Sequence, residues 1–343
     1  IRPNIKALQP YRSARQDFTS GILLDANENA FGSPVSVDGI TLNRYPDPSQ
    51  IQLRRRIAQI NDVDPEQIFV GVGSDEIIDL LIRLFCQPGG DSVIVLAPTY
   101  GVYRVAAEIN DVRVNPVLLT ESFEIDVPAV MHNVSSRTKM VFCCSPNNPT
   151  GNLLRAQDIA ALCRRTEAII VVDEAYIDLA QAQSLCHSVP EYPNLVVLRT
   201  LSKAWGLAGI RLGYAIANEQ IVSYLLKIKS PYNINALTSE YALKALDNWE
   251  TVERTVSLVI KERNRLSKEL SGLREVTAVF PSRANFLLVR FADGYSVYNE
   301  LANRGIIVRY RGNEPNLENC IRITVGTPQE NNLLLLTLKE MPQ

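Results

Sequence analysis

The 343-residue sequence predicts an α/β fold over its first two-thirds, followed by a smaller α+β domain. Two observations predict this division. Up to about residue 235, short apolar runs alternate with segments of helical spacing, a rhythm typical of a mainly parallel sheet covered by helices. Beyond that residue, a charged helical stretch precedes several strand candidates. We therefore predict an N-terminal segment over residues 1–26, a large domain over 27–235 and a small domain over 236–343.

The strand candidates of the large domain are short apolar runs that end at polar or turn-forming residues. Residues 75–86 and 155–166, which lie between such runs, carry apolar residues at helical spacing. Because parallel strands end at one edge of a sheet, we expect the loops after them to form a shared ligand site. The strand candidates are 67–70, 92–96, 139–144, 168–172 and 195–198.

The small domain is predicted from the change of pattern after residue 235. Residues 240–270 form a long charged stretch with helical spacing. Strands that follow a helix in this way, without regular alternation, are typical of an α+β domain. The strand candidates are 276–280, 285–291, 305–308 and 320–324.

Composition and charge exclude several classes of protein. The formal net charge of −2 gives no basic surface for nucleic acid or for a membrane. The two histidines, His132 and His187, have no metal-ligand partner at useful spacing, which argues against a metal site and a Ser-His-Asp triad. The six cysteines show no C-x-x-C spacing, and no signal peptide or apolar stretch of about 18 residues is present. We expect a cytoplasmic protein with reduced core thiols.

Lys203 is the strongest candidate for a catalytic residue. It is the single charged side chain between Arg199 and Arg211, in a neighbourhood of leucine, alanine, tryptophan and glycine. Desolvation disfavours the ammonium form, and a lysine that is partly neutral can attack a carbonyl to form a Schiff base. A lone lysine in a loop is more often an ordinary solvated side chain. The other loops at the same sheet edge decide between these interpretations.

The loop at 71–75 is a candidate phosphate site because it opens a predicted helix. Its backbone N–H groups and the helix dipole would bind a phosphate, and Ser74 would add a hydroxyl, although a plain serine N-cap explains the pattern equally well. Glu76 stands where a dinucleotide fingerprint would have its third glycine, and the chain has no G-x-x-x-x-G-K-[ST] motif. These features argue against a nucleotide-dependent oxidoreductase and a P-loop NTPase.

Two further loops carry polar residues at strand ends. Asn148 lies in a turn that two prolines and a glycine make rigid, so it can present an amide donor to the cleft. Asp173 ends an apolar run and should be partly buried, which requires a partner, although a capping or salt-bridge role remains open. A phosphate cradle, a buried carboxylate, an amide donor and a Schiff-base lysine together are what pyridoxal phosphate requires.

These motifs resemble those of the fold-type I pyridoxal-phosphate aminotransferases and, within that family, the histidinol-phosphate aminotransferases. The likeness runs nearly end to end, and Ala30 and Trp205 are small departures that do not touch the chemistry. The wider family is indicated by Asn-Pro-Thr-Gly at 148–151, Asp-x-x-Tyr at 173–176 and Ser-Lys at 202–203. The narrower family is indicated by Asn-Glu at 27–28, Asn-Arg-Tyr-Pro at 43–46 and Arg-Ile-Thr-Val-Gly-Thr at 322–327.

The resemblance implies a sheet of the seven-stranded type, pyridoxal 5'-phosphate as cofactor and a role for each matching residue. Lys203 would hold the cofactor as a Schiff base and move a proton. Asp173 would pair with the ring nitrogen, while Tyr176 and Asn148 would bond the ring oxygen. The other implied cofactor contacts are Tyr100 on the ring face, and Ser74, Asp75, Thr200, Ser202 and Arg211 around the phosphate. The resemblance further implies a homodimer in which Tyr45 reaches the neighbouring subunit's phosphate, and substrate contacts from Tyr11, Asn27, Arg309 and Arg322.

The implied activity is transfer of an amino group between L-histidinol phosphate and 2-oxoglutarate, a step of histidine biosynthesis that yields imidazole acetol phosphate and L-glutamate. Arginine suits both substrates because its planar fork binds carboxylate and phosphate bidentately. Three alternatives share the cofactor site: an aminotransferase for aromatic amino acids, a phosphothreonine decarboxylase, and a binding or regulatory protein that retains the fold. Binding alone needs no Schiff-base lysine, which argues against the last of these.

Overall fold

The computed structural model describes residues 1–11, 13–17, 20–37 and 39–341. The predicted segment and domains also contain residues that lie outside this description, namely Arg12, Phe18, Thr19, Asp38, Pro342 and Gln343. The described part of the chain holds one seven-stranded sheet and one four-stranded sheet. The α/β prediction for the first two-thirds and the smaller α+β region after it are therefore confirmed.

The large sheet has the strand order β1-β7-β6-β5-β4-β2-β3. Within it β7 pairs antiparallel with both β1 and β6, and the other pairings are parallel. The ends of β1, β2, β4, β5 and β6 therefore meet at one edge, as the sequence predicts. The strands are β1 Ile68–Val72, β2 Ser92–Ala97, β3 Arg113–Leu118, β4 Thr138–Cys144, β5 Ile169–Asp173, β6 Leu195–Thr200 and β7 Leu212–Ala217.

Helices cover both faces of this sheet. Along β4, Val141 and Cys143 belong to one apolar cluster, while Met140, Phe142 and Cys144 belong to another on the opposite face. Burial on both faces explains why the strands are continuous apolar runs rather than alternating patterns. The helices up to the small domain are α1 Pro3–Ala7, α2 Ala14–Asp17, α3 Ile51–Asn61, α4 Gly73–Phe85, α5 Val102–Ile109, α6 Val127–Asn133, α7 Ala156–Arg165, α8 Ile177–Ala180 and α9 Glu219–Ile228.

The C-terminal region packs helices on an antiparallel sheet with the order β10-β11-β9-β8. A separate apolar cluster joins its helices to β9 and β11. The helices are α10 Ala236–Leu246, α11 Trp249–Leu270, α12 Gly294–Asn303 and α13 Pro328–Lys339. The strands are β8 Val276–Val279, β9 Phe286–Phe291, β10 Arg309–Tyr310 and β11 Cys320–Thr324.

The stretch with helical spacing over 240–270 contains two helices, and between them the side chain of Asn248 donates to the carbonyl of Lys244. One sequence prediction in this region is wrong. The predicted strand at 305–308 is not a strand. Gly305 adopts φ +79° just after α12, as a helix-ending glycine does, and strand pairing begins at Arg309.

Candidate active site

A cleft of roughly 310 Å³ opens where the parallel strands of the large sheet end. Its size is that of a small-molecule site. Arg322, from β11, reaches it from the small domain. The cleft is lined by Gly73, Ser74, Asp75, Tyr100, Cys144, Asn148, Asp173, Ala175, Tyr176, Thr200, Ser202, Lys203, Arg211 and Arg322. The structure therefore brings together most of the site residues that the sequence predicts.

Asp173 is the last residue of β5, and its side chain is buried at 3% exposure. The Ala175 N–H donates to Oδ1 at 3.1 Å, and the Tyr103 hydroxyl donates to Oδ2 at 2.8 Å. Burial raises the pKa of the carboxyl group, while the hydrogen bonds from Tyr103 and Ala175 oppose that rise. A buried carboxylate held by neutral donors is suited to a cationic partner in the cleft.

Lys203 lies after β6 and keeps solvent access at the mouth of the cleft. Its Nζ lies 5.5 Å from the centroid of the Tyr176 ring. Desolvation within the cleft and the positive charge of Arg322 lower the pKa of the ammonium group, while Asp173 opposes that change. The lowered pKa favours the neutral amine, the form that attacks a carbonyl. This direction agrees with the desolvation predicted from the sequence.

The start of α4 forms the phosphate end of the cleft. No described side chain caps this helix at Val72, so its first-turn N–H groups can bind an anion. Gly213 allows the close approach of β7, because a Cβ there would lie 2.4 Å from the nitrogen of Ser74. The Arg211 guanidinium lies 3.5 Å from the Asp75 carboxylate, which leaves a cation beside those N–H groups.

The hydroxyl of Thr200 has local partners in the chain. It lies 3.0 Å from Ser202 Oγ and 3.1 Å from the Leu212 carbonyl, and it accepts from the Ser202 N–H at 3.1 Å. Thr200 thus orients Ser202, whose hydroxyl lies at the cleft. We interpret Thr200 as a residue that lines the cleft and also fixes the conformation of the loop that carries Ser202.

Tyr100 and Asn148 are two further side chains that line the cleft. The Tyr100 hydroxyl donates to Asp75 Oδ1 at 3.3 Å, and burial together with Asp75 raises the pKa of this phenol to about 12. The buried Asn148 accepts from the Arg322 guanidinium at 2.5 Å through its side-chain oxygen. Its NH₂ group therefore remains as the donor toward the cleft. Arg322 also lies 5.5 Å from the centroid of the Phe286 ring.

Four predicted site residues do not line the cleft within this chain: Tyr11, Asn27, Tyr45 and Arg309. Tyr11 is 71% exposed and Tyr45 is 50% exposed. Tyr45 stacks on Tyr232 with ring centroids 4.5 Å apart, and its backbone N–H donates to the Glu28 carboxylate at 2.8 Å. Arg309 is exposed on β10, directly opposite Arg322 in the strand pairing.

The sequence reasoning did not single out Cys144 or Tyr103. Cys144 lines the cleft although we expected the cysteines to be core thiols, and Tyr103 donates to Asp173 without lining the cleft itself. A signal for Tyr103 exists in the sequence, because a tyrosine on the apolar face of a helix must find a partner for its hydroxyl. The position of Cys144 directly before the loop at 145–151 was the corresponding signal for the thiol.

The residues present fit pyridoxal phosphate. The first-turn N–H groups of α4, Ser74, Ser202 and Arg211 can hold a phosphate. Asp173 offers a carboxylate for a ring nitrogen, and Lys203 offers an amine for an aldehyde. Within the described residues, no group of three or more histidine, cysteine, aspartate or glutamate side chains could hold a metal ion. No helix in the same part of the chain is long and apolar enough to cross a membrane.

Comparisons with known proteins add to this geometry. A family model described as aminotransferase class I and II matches residues 18–337. A histidinol-phosphate aminotransferase from Parabacteroides distasonis is 48% identical over 343 residues, which cover 99% of this chain and 97% of that protein. The structure of the histidinol-phosphate aminotransferase from Clostridium acetobutylicum is 27% identical with a TM-score of 0.81, covering 87% of this chain and 90% of that one. The enzyme of that name from Sinorhizobium meliloti, solved with pyridoxal-5'-phosphate, is 25% identical with a TM-score of 0.80, covering 87% and 83%.

Proposed function

The chain belongs to the family of class I and II aminotransferases, and from this membership we propose that it transfers an amino group between L-histidinol phosphate and 2-oxoglutarate. The products are imidazole acetol phosphate and L-glutamate, which places the reaction in histidine biosynthesis. As a member of this family, the protein is an enzyme that depends on pyridoxal phosphate. The proposed substrate pair follows the relatives that resemble the chain over nearly its full length.

The observation that carries the substrate proposal is the pairing of Arg309 with Arg322. Their Cα atoms are partners in the β10–β11 ladder, so both side chains lie on one face of the sheet. Like charges directly opposite each other destabilise a sheet, and a bound anion removes that repulsion. Arg322 reaches the cleft, so an anionic substrate group would lie there, either the phosphate of histidinol phosphate or a carboxylate of glutamate.

When bound, pyridoxal phosphate supplies an aldehyde that condenses with amines and a ring that accepts electrons from the substrate's α-carbon. We propose that Lys203 Nζ would hold that aldehyde and, once the substrate amine has displaced it, would remove and return the α-proton, since its lowered pKa favours the free amine. Asp173 would hold a proton at the ring nitrogen through its carboxylate. Tyr176 and the NH₂ group of Asn148 would bind the ring oxygen, and Tyr100 would cover the ring face, since all three line the cleft.

The phosphate of the cofactor would be held by residues of three loops. Arg211 supplies a positive charge and the start of α4 supplies N–H groups. Thr200 positions the Ser202 hydroxyl for the same anion. The proposed phosphate set is Ser74, Asp75, Thr200, Ser202 and Arg211.

We also propose a homodimer with shared sites, in which Tyr45 contacts the cofactor phosphate of the neighbouring subunit. Tyr45 supports this because it is half-exposed, lies outside the cleft of its own chain and is held in place by Tyr232 and Glu28. Tyr11, in the N-terminal segment, and Asn27, which follows that segment directly, are exposed and are proposed as substrate contacts. Light scattering combined with size-exclusion chromatography tests the dimer, and a monomer with full activity would contradict it.

The division into residues 1–26, 27–235 and 236–343 remains our proposal for the domains. Its support is that the large sheet lies within residues 68–217 and the small sheet within 276–324. We propose a cytoplasmic location as well, supported by the free, buried thiols, which suit a reducing compartment.

Half-reaction kinetics test the proposed substrate. The enzyme loaded with pyridoxal phosphate would be mixed with L-histidinol phosphate, L-phenylalanine or L-phosphothreonine, and the cofactor absorbance and carbon dioxide release would be followed. We expect the highest ratio of rate to apparent dissociation constant for histidinol phosphate, without carbon dioxide. A higher ratio for phenylalanine would favour an aromatic aminotransferase, and carbon dioxide from phosphothreonine would favour a decarboxylase.

A further inference from the structure

We propose that Tyr103 is a positioning residue whose hydroxyl fixes the Asp173 carboxylate in the orientation that a cationic ring nitrogen in the cleft requires. The proposal rests on the cofactor role proposed for Asp173. Tyr103 lines no part of the cleft and acts through the carboxylate alone. Its hydroxyl donates to Asp173 Oδ2 at 2.8 Å, a bond between α5 and the end of β5.

The ring of Tyr103 has no freedom to move the hydroxyl elsewhere. The side chain is 0% exposed. Its ring stacks on Phe142 with centroids 4.8 Å apart and an interplanar angle of 7°, and it meets the Tyr100 ring edge-on at 5.6 Å. A close-packed ring of this kind holds one rotamer, so the hydroxyl is fixed relative to β5.

The Asp173 carboxylate is thereby fixed through both of its oxygens. The Ala175 N–H holds Oδ1 at 3.1 Å while the phenol holds Oδ2, and each oxygen keeps a further lone pair as an acceptor. The charged groups that face this carboxylate are Asp75, which repels it, and Lys203, which attracts it. The phenol and the backbone N–H are thus the direct hydrogen-bond donors seen for this carboxylate among the described residues.

The hydroxyl is not needed for packing. The ring lies among apolar side chains, where phenylalanine would fill nearly the same volume. The neighbouring Cys144 thiol is a weak hydrogen-bond partner, so it cannot replace a carboxylate. Burial raises the pKa of the Tyr103 phenol well above its ordinary value, so the group stays protonated and donates. If Tyr103 only filled the core, removal of its hydroxyl would have the same effect whether residue 173 were charged or neutral. If it positions the carboxylate, the effect should depend on Asp173, and this dependence can be measured.

A double-mutant cycle on cofactor affinity tests the proposal. Apoprotein would be prepared for the wild type, Tyr103→Phe, Asp173→Asn and the double variant, and the dissociation constant for pyridoxal phosphate measured by fluorescence titration. We expect Tyr103→Phe to weaken binding about tenfold when Asp173 is present, as loss of a hydrogen bond to a charged group does. In the Asp173→Asn background, the same change should alter binding less than about twofold. Since no amino substrate is used, the result is independent of the histidinol phosphate assignment.

Tyr214→Phe is the matched control. Tyr214 is another buried tyrosine, and its hydroxyl accepts from Asn61 at 3.3 Å away from the cleft. Its removal should leave the dissociation constant for pyridoxal phosphate unchanged. An unchanged constant in Tyr103→Phe, or the same loss in both Asp173 backgrounds, would overturn the proposal. Failure of Tyr103→Phe to fold, judged by circular dichroism, would also overturn it, because the hydroxyl would then be required by the core.

Discussion

The residues proposed for the cofactor and those proposed for the substrate lie in very different surroundings. Asp173 and Thr200 are the last residues of strands in the large sheet, and Asn148 follows a third strand. All three are buried and make hydrogen bonds within the chain. Tyr11 and Arg309 lie on the N-terminal segment and the small domain and are exposed. In the proposed site, these three cofactor residues are therefore held within one chain, whereas the two exposed substrate residues have open surroundings.

This difference has a physical basis. A buried polar group needs partners within the fold, because water cannot reach it, so its geometry is set before any ligand binds. An exposed side chain is solvated and becomes ordered only when a ligand or another subunit covers it. We therefore expect changes at the proposed cofactor residues to alter rates, and changes at the exposed substrate residues to alter affinities by smaller factors.

The largest effect is expected for Lys203→Ala. This change removes the amine that binds the aldehyde and moves the proton, so turnover should fall at least about 10³-fold. The fold should persist, because the side chain keeps solvent access and closes no part of the core. Steady-state kinetics and a thermal melt measure the two properties. Near-normal turnover in a cofactor-loaded variant would refute the role of Lys203.

Asp173→Asn should have the next largest effect. The asparagine side chain carries no negative charge that could hold a proton at the ring nitrogen. A nearby opposite charge changes the pKa of an ionisable group by about one to three units. We expect the rate of the glutamate half-reaction to fall about 10²-fold and the cofactor to bind more weakly. Stopped-flow absorbance gives the rate. An unchanged rate constant would assign Asp173 a purely structural role.

Arg322→Gln and Arg309→Gln compare a half-buried and an exposed arginine that are partners in one strand pair. Arg322 is half-buried beside Asn148, so its loss should raise the apparent KM for both amino substrates roughly tenfold or more. Arg309 is exposed, and its loss should raise KM only about threefold. An equal increase in KM for both variants would show that the difference in exposure does not determine how much each arginine contributes to substrate binding. The melting temperatures of both variants provide the control for folding.

Much of the cofactor half could be predicted from the sequence. Asp173 and Asn148 follow apolar runs that read as buried strands, and parallel topology brings such ends together. The bond between Tyr103 and Asp173 could not be predicted, because it joins residues 70 positions apart, one in α5 and one at the end of β5. The strand β7, Leu212–Ala217, was also missed. Its apolar run follows Arg211 directly and was not among the strand candidates.

The substrate half was less predictable for a different reason. Tyr11, Asn27 and Tyr45 are proposed to act at a site shared by two chains, and local sequence patterns carry no information about contacts between chains. In the small domain, Ile307 is apolar yet exposed, which led to a strand being predicted where the chain is irregular. A run of apolar residues indicates a buried strand only where another strand or a helix packs against those residues.

The smallest expected effect on turnover concerns Glu28, which anchors the N-terminal segment. Its carboxylate is buried and accepts from Arg15 at 2.6 Å, from Arg44 at 2.7 Å and from the Tyr45 N–H at 2.8 Å. These bonds outweigh the burial, which acts in the opposite direction, and lower the pKa of Glu28 to about 2. Glu28→Gln weakens the hold on Tyr45, so turnover should fall only a few-fold, as expected when one charged hydrogen bond weakens outside the cleft.

Acid titration separates this anchor from the rest of the molecule. Because the pKa of Glu28 is lower in the folded chain than its ordinary value of about 4.3, its stabilising contribution is complete above that value and is lost as pH falls toward about 2. Hydrogen exchange of residues 20–37 and 39–47, followed from pH 5.5 to pH 3, should therefore accelerate in the wild type beyond the intrinsic pH dependence. In Glu28→Gln, exchange should already be fast at pH 5.5 and show less additional acceleration. The same acceleration in both chains would mean that another carboxylate anchors the segment, and that the exposed half of the site is held by contacts other than the Glu28 ion pairs.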